Sequence, residues 1–248
     1  MSTTIAISGK GGSGKTTVAA MIIRMLVDEA AKSQSVLAVD ADPNSCLALT
    51  LGVEITGSIA EIREQTRAKQ PGDGGMDRVR SFEYSLQQII TEAKDFDLVA
   101  MGQPEGPNCY CAVNNILRSF LDKLSSAYSF VVIDNEAGME HLSRRTTNNV
   151  DLLCIVSEAT AIGALTTRRI YKLAKQLPIS VKQIGVIWNK SDAAKELEDI
   201  ETLGCIPYDK NLFDASIQGK TIFDINADSS AFSALQQIIG NKLSLKTS

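Results

Sequence analysis

A short β-branched run, Thr4 to Ser8, leads directly into Gly9-Lys10-Gly11-Gly12-Ser13-Gly14-Lys15-Thr16, and a helix-period segment starting with Thr17 follows. The octapeptide fits G-x-x-x-x-G-K-[ST], and strand before, helix after is the setting in which that pattern works. Glycines let backbone N–H groups close around phosphate oxygens, and the helix N-terminus adds positive potential. Lys15 is expected to reach β- and γ-phosphates, and the Thr16 hydroxyl to ligate Mg²⁺. Gly9 to Thr17 thus form the expected phosphate-binding stretch, and the chain has to be built around a βα unit.

Further apolar runs recur at Val36–Asp40, Leu98–Met101, Phe130–Asp134, Leu152–Val156, Ile184–Trp188 and Cys205-Ile206. They are continuous, not alternating, which predicts parallel strands covered on both faces. Helix-period segments lie between them. Val18, Ile22, Met25 and Leu26 share one helical face, and Val113, Ile116, Leu117, Phe120, Leu121 and Leu124 share another. The expectation is one α/β domain over residues 1–248, a mostly parallel twisted sheet with helices on both faces. Residues 63–80, polar and holding Pro71-Gly72-Asp73-Gly74-Gly75, read as an exposed loop.

Composition narrows the function classes. The 248 residues carry 25 basic and 29 acidic side chains, a net charge of −4. That leaves no basic footprint for nucleic acid. No stretch approaches the about 18 apolar residues a membrane helix needs. No export signal precedes the phosphate loop, so a cytoplasmic location with reduced thiols is expected. With one histidine, His141, any metal site must use thiolates or carboxylates. Three of the five cysteines, Cys46, Cys154 and Cys205, read as small buried hydrophobes.

Several acids sit where strands end. Asp40 and Asp42, in Val39-Asp40-Ala41-Asp42-Pro43-Asn44, point into the crevice at the carboxyl ends of the strands. Asp42 would orient the attacking water and Asp40 support Mg²⁺ through water; the alternative is an ordinary Asp-Pro turn. Asp134 ends a buried strand and would hold the metal through its water shell, with Gly138 as a hinge before His141. His141 reads more readily as a structural residue than as a catalytic base. Asn189-Lys190-Ser191-Asp192 fits N-K-x-D, with Asn189 bonding a base, the Lys190 stem stacking on it and Asp192 reading guanine; otherwise Asp192 caps a helix beginning near Ala193. Pro207, Tyr208 and Asp209 would close the other side of the base.

Two features point beyond one chain. Lys10 is either a solvated side chain at a loop tip or a group that reaches nucleotide on a partner subunit, where it would act as an arginine finger does. Cys109 and Cys111 can face one ion but supply two of the four thiolates a tetrahedral soft-metal site wants; a symmetric dimer would complete S₄. The alternative is a pair of small hydrophobes on a helix.

GKGGSGKTT with its early lysine resembles the deviant Walker A of the MinD/ParA/nitrogenase-reductase class of dimeric P-loop ATPases. In that class the early lysine contacts nucleotide across the dimer, and Asp42-Pro43 is similar to its switch I. Adding Cys109-Tyr110-Cys111, the E-A-G-M-E-H after Asn135, and Ile206-Pro207-Tyr208, the chain from Ile5 to about Phe213 looks like the CooC-type nickel-insertion ATPases. These mature the nickel–iron–sulfur cluster of carbon monoxide dehydrogenase or the related acetyl-CoA synthase system. The resemblance implies a single P-loop NTPase domain, ATP/ADP with Mg²⁺, and nucleotide- and metal-dependent homodimerisation. It also implies Ni²⁺ or Zn²⁺ held by Cys109 and Cys111 of both chains, and the apo-enzyme as client. The preference for ATP rests on the resemblance, since Asp192 departs from it toward GTPases.

Two other roles share these features. A MinD/ParA-like positional switch wants a basic membrane tail or DNA face, but the last helix, Phe232 to Leu245, has Leu235, Ile238, Ile239 and Leu243 on one side and reads as docking onto the fold. An iron–sulfur electron carrier resembling nitrogenase reductase would share the bridging thiolates.

Overall fold

The computed structural model describes residues 2–29, 34–68, 84–103, 109–124, 127–136 and 149–243, the side chains of 66–68, 109–115 and 123 excepted. All seven apolar runs are strands: β1 (Thr3–Gly9), β2 (Val36–Ala41), β4 (Asp97–Ala100), β5 (Phe130–Asn135), β6 (Asn149–Ser157), β7 (Ser180–Asn189) and β8 (Glu201–Ile206). An eighth, β3 (Thr91–Glu92), is too short to leave a pattern in the sequence. They form one sheet in the order β3-β4-β2-β5-β1-β6-β7-β8, parallel throughout except for β3 on β4. Every residue of β2 and β5 is buried, as strands covered on both faces must be.

Alternate strand residues feed two cores. On one face Ile5, Ile7, Val36, Ala38 and Val132 pack under α1 (Lys15–Glu29), α2 (Cys46–Leu51) and a C-terminal helix. On the other, Ala6, Leu37, Val39 and Val131 pack under α3 (Ile59–Ala68), α4 (Cys109–Leu124) and α5 (Ala161–Gln176). The sequence periodicity reappears as burial. Val18, Ile22, Met25 and Leu26 are in the first core, and Leu117, Phe120 and Leu121 in the second.

The C-terminal helix, α7 (Ser230–Leu243), buries Leu235, Ile238 and Ile239 against the first core and packs on α1 and β8, so it docks onto the fold. It follows α6 (Lys210–Ile217) and a 3-10 turn, Ile222–Asp224.

Two expectations are corrected. Residues 63–68 belong to α3, because Ile59, Ala60 and Ile62 give that helix an apolar face to bury; residues 69–80 lie outside the described set. No helix begins at Ala193. The chain from Ser191 to Leu197 is irregular, so Asp192 caps nothing.

Candidate nucleotide site

The sheet order places β1 between β5 and β6: the chain leaves β1 to one side, returns to β5 and then crosses to β6, β7 and β8 on the other. Ligands collect at the carboxyl ends of strands around such a reversal. The phosphate loop occupies that point, between the end of β1 and the start of α1. Gly12 and Gly14 have φ of +79° and +91°, a conformation side chains rarely adopt. At Gly14 space is lacking as well, since a Cβ there would lie 2.4 Å from the Asn189 amide nitrogen.

The loop is held from inside and from across the sheet. Ser13 N–H donates to the Lys10 carbonyl at 3.2 Å, and Lys15 Nζ reaches the same carbonyl at 3.4 Å. Asn189, at the end of β7, donates a buried 2.8 Å bond to the Ser13 carbonyl. Lys190 Nζ lies 3.2 Å from the Gly12 carbonyl and 3.3 Å from a Glu158 carboxylate oxygen. Lys15 is buried, whereas Lys10, Gly11 and Gly12 are exposed.

The carboxylates gather beside this loop. Asp40 lies within β2 and is fully buried. One of its oxygens accepts from the N–H groups of Leu47 (2.9 Å) and Ala48 (3.4 Å) at the start of α2; the other accepts from Asp42 N–H at 3.2 Å. Burial and the neighbouring Asp134 raise its pKa to about 7, against the lowering by those amides. Asp42 is half-buried, and its carboxylate is engaged locally by the backbone and side-chain N–H of Asn44, both at 2.9 Å. Asp134 is 1% exposed, and burial raises it to about 6, although Thr16 and Lys15 pull it down.

Neither Asp134 oxygen has a hydrogen-bond partner in good geometry among the described residues, nor does the buried Ser13 hydroxyl. A buried, unpartnered carboxylate next to Thr16 and Lys15 is costly unless a cation completes it. The donor set suits a hard divalent ion held partly through water, so the residues present fit Mg²⁺.

A cleft of about 470 Å³ continues from the loop. Gly14, Thr17, Asn189, Lys190, Pro207, Tyr208 and Asp209 all line it, so the expected base-binding residues are brought together. Asp192 is exposed and not among its lining residues. Asp209 serves the walls: one carboxylate oxygen caps α6 through Asn211 and Leu212 N–H, and the other accepts from Ser230 and Ala231. Burial pushes its pKa up, but these bonds outweigh it and hold the net value down.

The far wall was not anticipated. Leu49 and Thr50 of α2, Leu212 and Phe213 of α6, and Ile222 and Ile225 supply it. Their apolar letters carry no signal distinct from core residues. Leu49, 76% exposed, and Phe213, 50% exposed, stand out as apolar side chains left open to solvent.

Residues 4–222 match the CobQ/CobB/MinD/ParA nucleotide binding domain. The chain belongs to that family. It is 39% identical to an uncharacterized ATP-binding protein of Methanocaldococcus jannaschii, over 94% of this chain and 96% of that protein. It is 30% identical to the carbon monoxide dehydrogenase accessory protein CooC of Rhodospirillum rubrum, over 90% of each. Its fold is shared with the septum site-determining protein MinD of Pyrococcus horikoshii, solved with Mg-ADP, at a TM-score of 0.68 and 21% identity, covering 97% of this chain and 96% of that one. The protein is therefore a nucleotide-binding ATPase of the MinD/ParA type.

The thiol expectations fare unevenly. Cys109 and Cys111 fall in the first turn of α4, with side chains outside the described set. Cys154 is buried, and burial pushes its thiol up to about 12; Cys205 is half-buried. Cys46 is exposed, contrary to expectation, because it opens α2 on the outer side of the Asp42 turn. Among the described residues no group of three His, Cys, Asp or Glu side chains could hold a metal ion. Gly138 and His141 lie outside the described residues. No described helix is long and apolar enough to cross a membrane.

Proposed function

We propose that this protein is a Mg²⁺-dependent ATPase that works as a nucleotide-bridged homodimer and delivers Ni²⁺ or Zn²⁺ during maturation of carbon monoxide dehydrogenase or acetyl-CoA synthase. The observation that carries this reading is a Cys-x-Cys at the head of α4, in a chain 30% identical to CooC over 90% of both lengths.

In this reading the phosphate loop amides and Lys15 bind the β- and γ-phosphates, and Asn189, Lys190, Pro207 and Tyr208 bound the base. Thr16 and Asp134, with Asp40 and Asp42 through water, would hold Mg²⁺, which neutralises charge on the transferring phosphoryl group. Asp42, released from Asn44, orients the attacking water. Lys10 from each subunit stabilises charge on the nucleotide of the other. Cys109 and Cys111 of both chains bind the cargo ion as four thiolates, and hydrolysis, by relaxing the switch segments that follow Asp40 and Asp134, changes the affinity for that ion. Such coupling is reciprocal, so bound metal must also shift nucleotide affinity or dimer population.

The test is equilibrium dialysis with Ni²⁺ on anaerobically purified protein, with oligomeric mass measured with and without an ATP analogue. Cys109→Ser plus Cys111→Ser should abolish thiolate-held Ni²⁺ while leaving nucleotide affinity intact. Wild-type Ni²⁺ stoichiometry in the double variant would refute the assignment. A brown chromophore in the purified protein would instead favour an iron–sulfur electron carrier.

A further inference from the structure

Helix α1 reads Ala19-Ala20-Met21-Ile22-Ile23-Arg24-Met25-Leu26, and one charged residue interrupts this buried apolar run. Arg24 is 7% exposed. An unsatisfied guanidinium in such surroundings would be severely destabilising, so its partners reveal what it is for. One terminal nitrogen donates to the carbonyls of Ile222 and Ile225, at 2.6 and 2.7 Å. Its Nε faces Asp28 one turn on at 3.3 Å, and the guanidinium plane lies 4.8 Å from the Phe232 ring centre. Arg24 therefore ties the helix that begins with Lys15 to the 3-10 turn and to α7.

Ile222 and Ile225 are also two of the residues lining the cleft next to the phosphate loop, and the turn packs against both α1 and α2. We propose that Arg24 is a positioning residue for the nucleotide base: by holding the Ile222 and Ile225 carbonyls it fixes the wall of the base cleft relative to the loop that binds the phosphates. Arg24 is not among the residues that line the cleft. An arginine suits the task because its planar fork satisfies two divergent carbonyls and a carboxylate at once, which an ammonium on a flexible stem does not. The inference rests on the reading that this cleft receives the base.

A structural arginine would, on removal, loosen α1 as a whole and weaken every ligand of the loop alike. A positioning arginine acts selectively. The experiment compares binding of Mg-ADP with binding of inorganic tripolyphosphate, which has no base, in the full-length chain. Arg24→Met should weaken Mg-ADP about tenfold and leave tripolyphosphate within about twofold. Arg24→Lys, which retains the charge and guards against a misfolded Met variant, should show the same selectivity at about threefold. Ile225→Asp places a carboxylate in the cleft wall and tests the underlying reading. If it lowers Mg-ADP affinity selectively while both Arg24 variants bind like wild type, or lose both ligands equally, the positioning role is overturned and the cleft assignment stands. If Ile225→Asp also leaves the ratio of the two affinities unchanged, the base does not occupy this cleft and both readings fall.

Discussion

Asp40 on β2 and Asp134 on β5 are register partners, two buried carboxylates side by side at the foot of the phosphate loop. Burial and the neighbouring Asp134 make Asp40 harder to ionise, while burial and Asp42 do the same to Asp134. Asp40 has α2 amides to offset that, whereas Asp134 has no hydrogen-bond partner in good geometry among the described residues. In the proposed reading a bound cation would relieve the cost of burying this pair.

This sets the sign of a pH dependence. Burial raises Asp40 from 3.8 to about 7 and Asp134 from 3.8 to about 6. Between those limits the native state holds protons that the unfolded chain has released, so stability falls as pH rises. Thermal unfolding without nucleotide and in a chelator should show a melting temperature declining from about pH 4 to about pH 7. Asp40→Asn should flatten the decline, and an unaltered slope would show that Asp40 ionises normally.

Gly14 and Asn189 make a steric prediction. Gly14→Ala adds a Cβ 2.4 Å from the Asn189 amide at a φ of +91°, so mutual adjustment is forced. Calorimetric titration should find Mg-ADP weakened on the order of a hundredfold. Combining it with Asn189→Ala removes the clash but leaves the backbone strain and loses the bond from Asn189 to the Ser13 carbonyl, so affinity should stay well below wild type. Full recovery would mean that the glycine is required for space alone.

Lys10 tests the proposed dimer. Its side chain is exposed at the loop tip, and its carbonyl, not its ammonium, serves the loop internally. Lys10→Ala should lower turnover by at least about a hundredfold while nucleotide still binds, as loss of an arginine finger does. Sedimentation velocity with an ATP analogue should show reduced dimer. Undiminished turnover in a monomeric variant would exclude catalysis across subunits.

Asp192 is predicted to be silent. Because it is exposed and not part of the cleft lining, Asp192→Asn should leave the ratio of ATP to GTP affinity unchanged in competition binding. A shift toward ATP would bring the carboxylate back into base recognition.

Much of the fold was legible because a parallel strand buried on both faces has to be continuously apolar, and Val36–Asp40 and Phe130–Asp134 could scarcely read otherwise. The phosphate loop was legible because its backbone needs glycine at particular steps. The letters N-K-x-D misled for a physical reason. A short pattern fixes order along the chain, but whether its last side chain meets the cleft depends on how the irregular segment after β7 turns. Residues 63–68 misled similarly, since polar letters hid a helix with its apolar face set by Ile59, Ala60 and Ile62.

The sequence by itself determined the βα frame, the loop that binds phosphate and the acids at strand ends, because these follow from backbone conformation and local hydrophobic period. Only the tertiary structure decided that Asp40 and Asp134 face one another, that Asn189 holds the loop, and that Ile222 and Ile225 wall the cleft under Arg24. Those relationships join residues from 94 to 201 positions apart, and no local propensity encodes which distant side chains the packing of two cores will bring within bonding distance.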